Sequence, residues 1–133
     1  MMRLVTVAAL TLAMVATASA WTYEGYMTSG GVGRLKCTEY QNTLAEARAG
    51  GLLTQAGFAK MNPFTQYSFG YYTHYNQVSP GIYDLLHGIR GAEFVVSILT
   101  VLDNWCRDNP IKDFDDALVE SVSVFLSTAK LEE

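Results

Sequence analysis

The chain has 133 residues, with thirteen acidic against nine basic side chains, a formal net charge of −4 and two cysteines. That length holds one domain with a modest core. The acidic balance, with no basic run to displace phosphate counterions, excludes nucleic acid as a partner.

Residues 1–20 read as a secretory signal: Arg3 gives the positive start, residues 4–15 the apolar stretch, and Ala18-Ser19-Ala20 a small-x-small cleavage site. The apolar stretch is shorter than the ~20 residues a spanning helix needs. The mature chain is therefore expected to begin at Trp21 in the periplasm, with no membrane contact after cleavage. It would have 113 residues and, without Arg3, a net charge of −5. An oxidising compartment favours pairing of Cys37 with Cys106 over two unpaired thiols, and no other pairing is open to them.

Residues 21–36 carry Gly25, Gly30, Gly31 and Gly33 among Thr and Ser with no sustained periodicity, and read as a flexible arm. The domain proper is residues 37–133. Thr38 with Gln41 three residues later makes a capping-box pattern that starts a first helix, with Tyr40, Leu44 and Ala47 as its apolar stripe and Gly50-Gly51 as its end. Residues 52–61 read as an apolar linker with room for a helical turn. Asn62-Pro63 then opens a second helix, with asparagine as cap and proline at the first helical position. Phe64, Tyr67, Tyr71, Tyr75 and Val78 recur on it at helical spacing, flanked by Phe69 and Tyr72. Such a stripe reads as a core face rather than a stacking platform. Ser79-Pro80-Gly81 ends the helix, and residues 82–91 read as a partly helical connection.

Residues 92–110, AEFVVSILTVLDNWCRDNP, carry the strongest periodic signal. Glu93, Ser97, Thr100, Asn104 and Arg107 are spaced to make one narrow polar stripe on a helix. Phe94, Val95, Val96, Ile98, Leu99, Val101, Leu102 and Trp105 cover most of the remaining circumference, so this is expected to be the central helix around which the others pack. Asn109-Pro110 stops it just past Cys106. Asp113 caps a last amphipathic helix, with Asp115 and Asp116 at the positive end of its dipole and Phe114, Ala117, Leu118, Val122, Phe125, Leu126 and Ala129 on its apolar face. Residues 130–133 are expected to fray. The sum is an all-α protein: a small four-helix domain with one disulfide, preceded by a signal peptide.

Catalytic chemistry is not marked out. His74 and His87 are the only imidazoles, and neither has a cysteine or carboxylate at metal-ligand spacing, so no metal and no cofactor are expected. No nucleophile stands out with a base and an orienting acid, and the chain reads as a non-enzyme. Helix capping accounts for Asp113, Asp115 and Asp116 without calcium.

Two stretches resemble a known family. Lys36-Cys37-Thr38-Glu39-Tyr40 and Trp105-Cys106-Arg107-Asp108-Asn109-Pro110 resemble the two cysteine neighbourhoods of the HdeA/HdeB family of periplasmic acid-stress chaperones. The order of parts is also similar. The resemblance implies a small all-α protein bridged from Cys37 to Cys106, compact and often a homodimer near neutral pH, that loosens in strong acid and binds unfolding periplasmic proteins through exposed apolar surface. The client-binding residues would be Phe64, Tyr67 and Tyr71 on the aromatic helix and Val95, Leu99 and Leu102 on the central one. Protonating all thirteen carboxylates would take the mature charge from −5 to +8, which permits such loosening by self-repulsion. The outline is also similar to the Rap1a/Tai immunity proteins, exported helical proteins that neutralise a toxic amidase delivered by rival bacteria. That likeness implies a single protein partner instead.

Overall fold

The computed structural model describes residues 31–127 and 130–131. The expected signal peptide, residues 21–30 of the arm, Ala129 and residues 132–133 lie outside the described residues. Four helices make the body: α1 (Cys37–Ala49), α2 (Gln55–Val78), α3 (Gly91–Asp108) and α4 (Phe114–Leu126). The all-α, four-helix, single-disulfide architecture is the expected one. A short antiparallel ribbon is added to it, β1 (Ile82–Asp84) against β2 (Lys130–Leu131). Residues 130–131, expected to fray, are instead held by that pairing.

The N-terminus of α1 is satisfied from far along the chain. Lys36, not Thr38, is the cap residue, and its amide donates to the Glu39 carboxylate over 2.8 Å. The amides of Cys37 and Thr38 donate to the carbonyls of Lys112 (2.8 Å) and Pro110 (3.2 Å), so the α3–α4 loop supplies acceptors that a local side chain was expected to supply. Before it, Val32–Arg34 form a single 3-10 turn, and Gly33 is buried against the Tyr67 hydroxyl and Asp115. The stretch read as an arm therefore ends in packed structure. At the other end of α1, Gly51 takes φ +91°, a left-handed conformation that costs glycine little.

Helix α2 starts well before the expected Asn62-Pro63. Thr54 is its cap, accepting from the Gly57 amide at 3.1 Å, and Pro63 lies inside the helix. Proline there removes the amide that would reach Ala59. The break falls on the solvent side, since Ala59, Asn62 and Pro63 are all exposed, and water can satisfy the freed carbonyl.

The expected central role of α3 passes to α1. Helix α1 packs extensively against α2 and α3 and more narrowly against α4, while α3 packs mainly on α1 and α4 and meets α2 at Phe94. The polar stripe of α3 does face outward, but Val96 is also exposed, and Val101 and Trp105 are half-buried. The core converges on Tyr40 of α1, whose ring centroid lies 5.1 Å from that of Phe64 on α2 and 4.9 Å from that of Phe114 on α4. The Cys37–Cys106 disulfide, fully buried, joins the start of α1 to the end of α3 with the Cα atoms 5.0 Å apart.

Candidate functional site

On α3 the sequence reading passed over Asp103, which stands among apolar residues on the face turned to α1. It is only 6% exposed. One carboxylate oxygen accepts from Gln41 Nε2 at 3.2 Å, and the other accepts from Arg48 Nη1 at 2.8 Å and Arg107 Nη2 at 3.3 Å. Gln41 and Arg48 come from α1 and flank its apolar stripe on either side of Leu44. Burial alone would raise the Asp103 pKa, but the bonds from Arg48 and Gln41 and the charges of Arg48 and Arg107 outweigh it and hold the carboxyl below its usual range. A depressed folded-state pKa gives stability that is present above the unfolded value, near ~3.9, and is lost as pH falls through the folded value. The legible signal was the spacing of Gln41, Leu44 and Arg48 at three and four, which puts two donors on the helix face that carries Leu44.

The candidate client-binding residues are mostly interior. Phe64, Val95, Leu99 and Leu102 are buried, while Tyr67 and Tyr71 are half-buried. Tyr40 links two of them: its ring packs on Phe64 and its hydroxyl donates to the Leu99 carbonyl. Tyr67 donates to Asp115 over 2.7 Å, and Tyr71 lies edge-on to Tyr72 at 5.6 Å. Val95 sits apart from these, beside a groove. The six residues thus line the seams around α1 and the margin of α2 rather than one continuous surface.

That groove, a cavity of about 410 Å³, lies between α2 and the start of α3. Leu53, Phe58, Phe69, Phe94 and Val95 line it, with Arg90 among its polar residues. Leu53, Phe58 and Phe69 are exposed despite their size. Sequence reasoning missed this feature because Phe58 fell in the expected linker and Phe69 beside the expected stripe.

The aspartates at the head of α4 all have partners. Asp113 pairs with Lys36 Nζ at 2.6 Å, Asp115 accepts from Tyr67, and Asp116 accepts from the Asp113 amide at 3.3 Å. His74 and His87 are exposed. Among the described residues no group of three or more His, Cys, Asp or Glu side chains could hold a metal ion, and no helix is long and apolar enough to cross a membrane.

Fold and site together define a four-helix domain with one internal disulfide and a buried carboxylate that fastens two helices over an apolar core. Comparison with protein-family models, with curated proteins and with solved structures finds no match to this chain. The functional reading rests on the side chains.

Proposed function

We propose that this protein is an acid-stress chaperone-like protein of the periplasm, shut near neutral pH, that binds unfolding proteins through its apolar interior when acid loosens it. One observation supports this reading above the others. Three of the apolar candidates, Phe64, Leu99 and Leu102, are buried in the seams around α1, and the start of α1 is tied to the end of α3 by the Cys37–Cys106 bond. Charge repulsion that parts these seams would bare Leu44, Leu99 and Leu102 while the bond stops the chain from expanding fully. The test is a dye that brightens on apolar surface, followed by an acid-labile client. The dye should brighten below about pH 3, where most carboxylates are protonated, and the client should stay soluble. A fold that stays compact at that pH and protects no client would overturn the reading.

The groove favours a second reading, a folded-state binder of a single protein partner, similar in outline to the Rap1a/Tai immunity proteins. Its exposed Leu53, Phe58 and Phe69 are available without any loosening. Capture from periplasm separates the two. Many partners held only in acid support the chaperone; one tight partner at neutral pH, lost on Phe69→Ala, supports the second reading.

A further inference from the structure

The buried polar side chains among the described residues are Thr65, Ser68, Asp103 and Ser121, and of these only Asp103 carries a charge. Thr65 and Ser68 bond back to carbonyls of their own helix, and Ser121 pairs with the Tyr72 hydroxyl, so protonation leaves all three untouched. Asp103 differs because its partners across the seam are the side chains of Gln41 and Arg48.

We propose that Asp103 is an acid-labile fastening: once it is protonated, the α1–α3 seam opens about the Cys37–Cys106 bond before the α3–α4 seam does. This deepens the chaperone reading and rests on it for its purpose, though not for its geometry.

The charged and titratable groups facing Asp103 are Arg48 and the Tyr40 phenol from α1, and Arg107 from its own helix. Helix α4, also packed on α3, buries Phe114, Ala117, Leu118, Ser121, Val122 and Phe125, none of which titrates in acid, and α2 meets α3 through Phe69 on Phe94, more than two turns along α3 from Asp103. A neutral carboxyl would therefore leave two guanidinium groups, Arg48 and Arg107, turned toward one point with no counter-charge. Among the described residues no ion pair joins α3 to α4. The other acid-sensitive ion pairs of α1 are Lys36–Asp113 at its cap, beside the disulfide, where losing it leaves the covalent anchor in place, and Glu46–Lys60, which joins α1 to α2 and does not cross the α1–α3 seam. Arg48, by contrast, stands about 16 Å along α1 from Cys37, at 1.5 Å per residue. Releasing it frees the far end of the helix from α3, with α2 still packed on its other side. A helix of 13 residues is at the length where isolated helices are marginal in water, so α1 would lose amide protection once lifted off α3.

The test is hydrogen exchange resolved by segment, on the disulfide-bonded full chain, as pH is lowered. Wild-type α1 should lose protection at a higher pH than α4, after correction for intrinsic exchange. Asp103→Asn should weaken α1 protection at pH 7 about tenfold or more and reduce the pH dependence of opening by about one proton. Arg48→Gln should move the α1 midpoint upward by about one pH unit, because it removes the cation nearest the carboxylate. Arg107→Gln, at an exposed position, should move it less. If α1 and α4 lose protection together in the wild type, or if Asp103→Asn keeps wild-type protection and proton dependence, the fastening is overturned. Should Asp103→Asn fail to fold, Arg48→Gln decides: an unmoved midpoint overturns the proposal. Client protection is scored separately. A seam released through Asp103 in a protein that protects no client removes the chaperone reading alone, and a protective protein whose seam ignores Asp103 removes the fastening alone.

Discussion

The Tyr40 hydroxyl donates a 2.8 Å hydrogen bond to the Leu99 carbonyl, joining α1 to α3 at a point where neither residue is exposed to solvent. Burial and the nearby Asp103 charge push the phenol well above its ordinary pKa, so it stays a donor through the neutral and acidic range. The Leu99 carbonyl also belongs to the helical ladder, so losing the hydroxyl does not leave it without a partner. Tyr40→Phe should cost about 1 kcal/mol. Tyr40→Ala should cost about 3 to 5 kcal/mol, because it also empties the space between Phe64 and Phe114. Urea denaturation of both variants checks the pair, and equal losses would mean that the bond, not the ring, carries the contact.

The apolar residues of α3 divide into a buried and an open sector, and truncation should separate them. Leu102 is fully buried and Val96 is 42% exposed. Leu102→Ala is expected to cost about 2 to 5 kcal/mol. Val96→Ala and Thr100→Ala should stay within about 0.5 kcal/mol of wild type, as changes away from packed features do. A large loss at Val96 would return α3 to the central position expected from its sequence.

Asp84 organises the connection into α3. Its carboxylate accepts from the amides of Leu86 (3.1 Å) and Gly88 (2.8 Å) and from Arg90 Nη2 (3.3 Å). Between those amides His87 takes φ +48°. Partial burial would raise the Asp84 pKa, but the Gly88, Arg90 and Leu86 donors and the Arg90 charge outweigh it and lower it. The stabilisation is therefore present above the unfolded value and fades as pH falls through the lower folded value. Asp84→Asn should cost about 1 kcal/mol at pH 7, held down by the exposure of Arg90 to solvent. The difference from wild type should shrink toward pH 3 and below. Denaturation at several pH values tests this, and a pH-independent difference would assign the loss to shape rather than charge.

What the sequence made legible was local. Phe114, Ala117, Leu118, Val122 and Phe125 are buried as their spacing required, though Leu126 of the same expected face is exposed at the end of the helix, and Gly50-Gly51 ends α1 as expected. Non-local matters were hidden. The amides that open α1 are satisfied by Pro110 and Lys112, which no window around Cys37 contains. Asn62-Pro63 is a strong start signal that lost to the Thr54 cap and to the burial of Gly57 and Met61 ahead of it. Asp103 looks like an interruption in an apolar helix until Arg48, 55 residues earlier, is brought against it. Periodicity reports which face of a helix is buried; it does not report which charged side chain meets it there.

Gly57 and Gly70 both lie in α2, and alanine at the two positions should move stability in opposite directions. Alanine is ordinarily the better helix former by about 1 kcal/mol. At Gly70 a methyl group would meet nothing within 4 Å and the site is exposed, so Gly70→Ala should gain about that much. At Gly57 the same methyl would overlap the Gly51 carbonyl oxygen and lie 2.9 Å from the carbonyl carbon. Those are backbone atoms of the turn joining α1 to α2, held in place by the left-handed Gly51 and by the Thr54 amide, which donates to that same carbonyl at 3.0 Å. The turn cannot step aside without moving α1 off α2. Gly57→Ala should therefore lose about 1 to 3 kcal/mol, the usual cost of overpacking. In thermal unfolding each kcal/mol corresponds to a shift of about 4 to 8 °C for a domain of this size. A gain at both positions would mean that the end of α1 and the start of α2 do not approach this closely in solution.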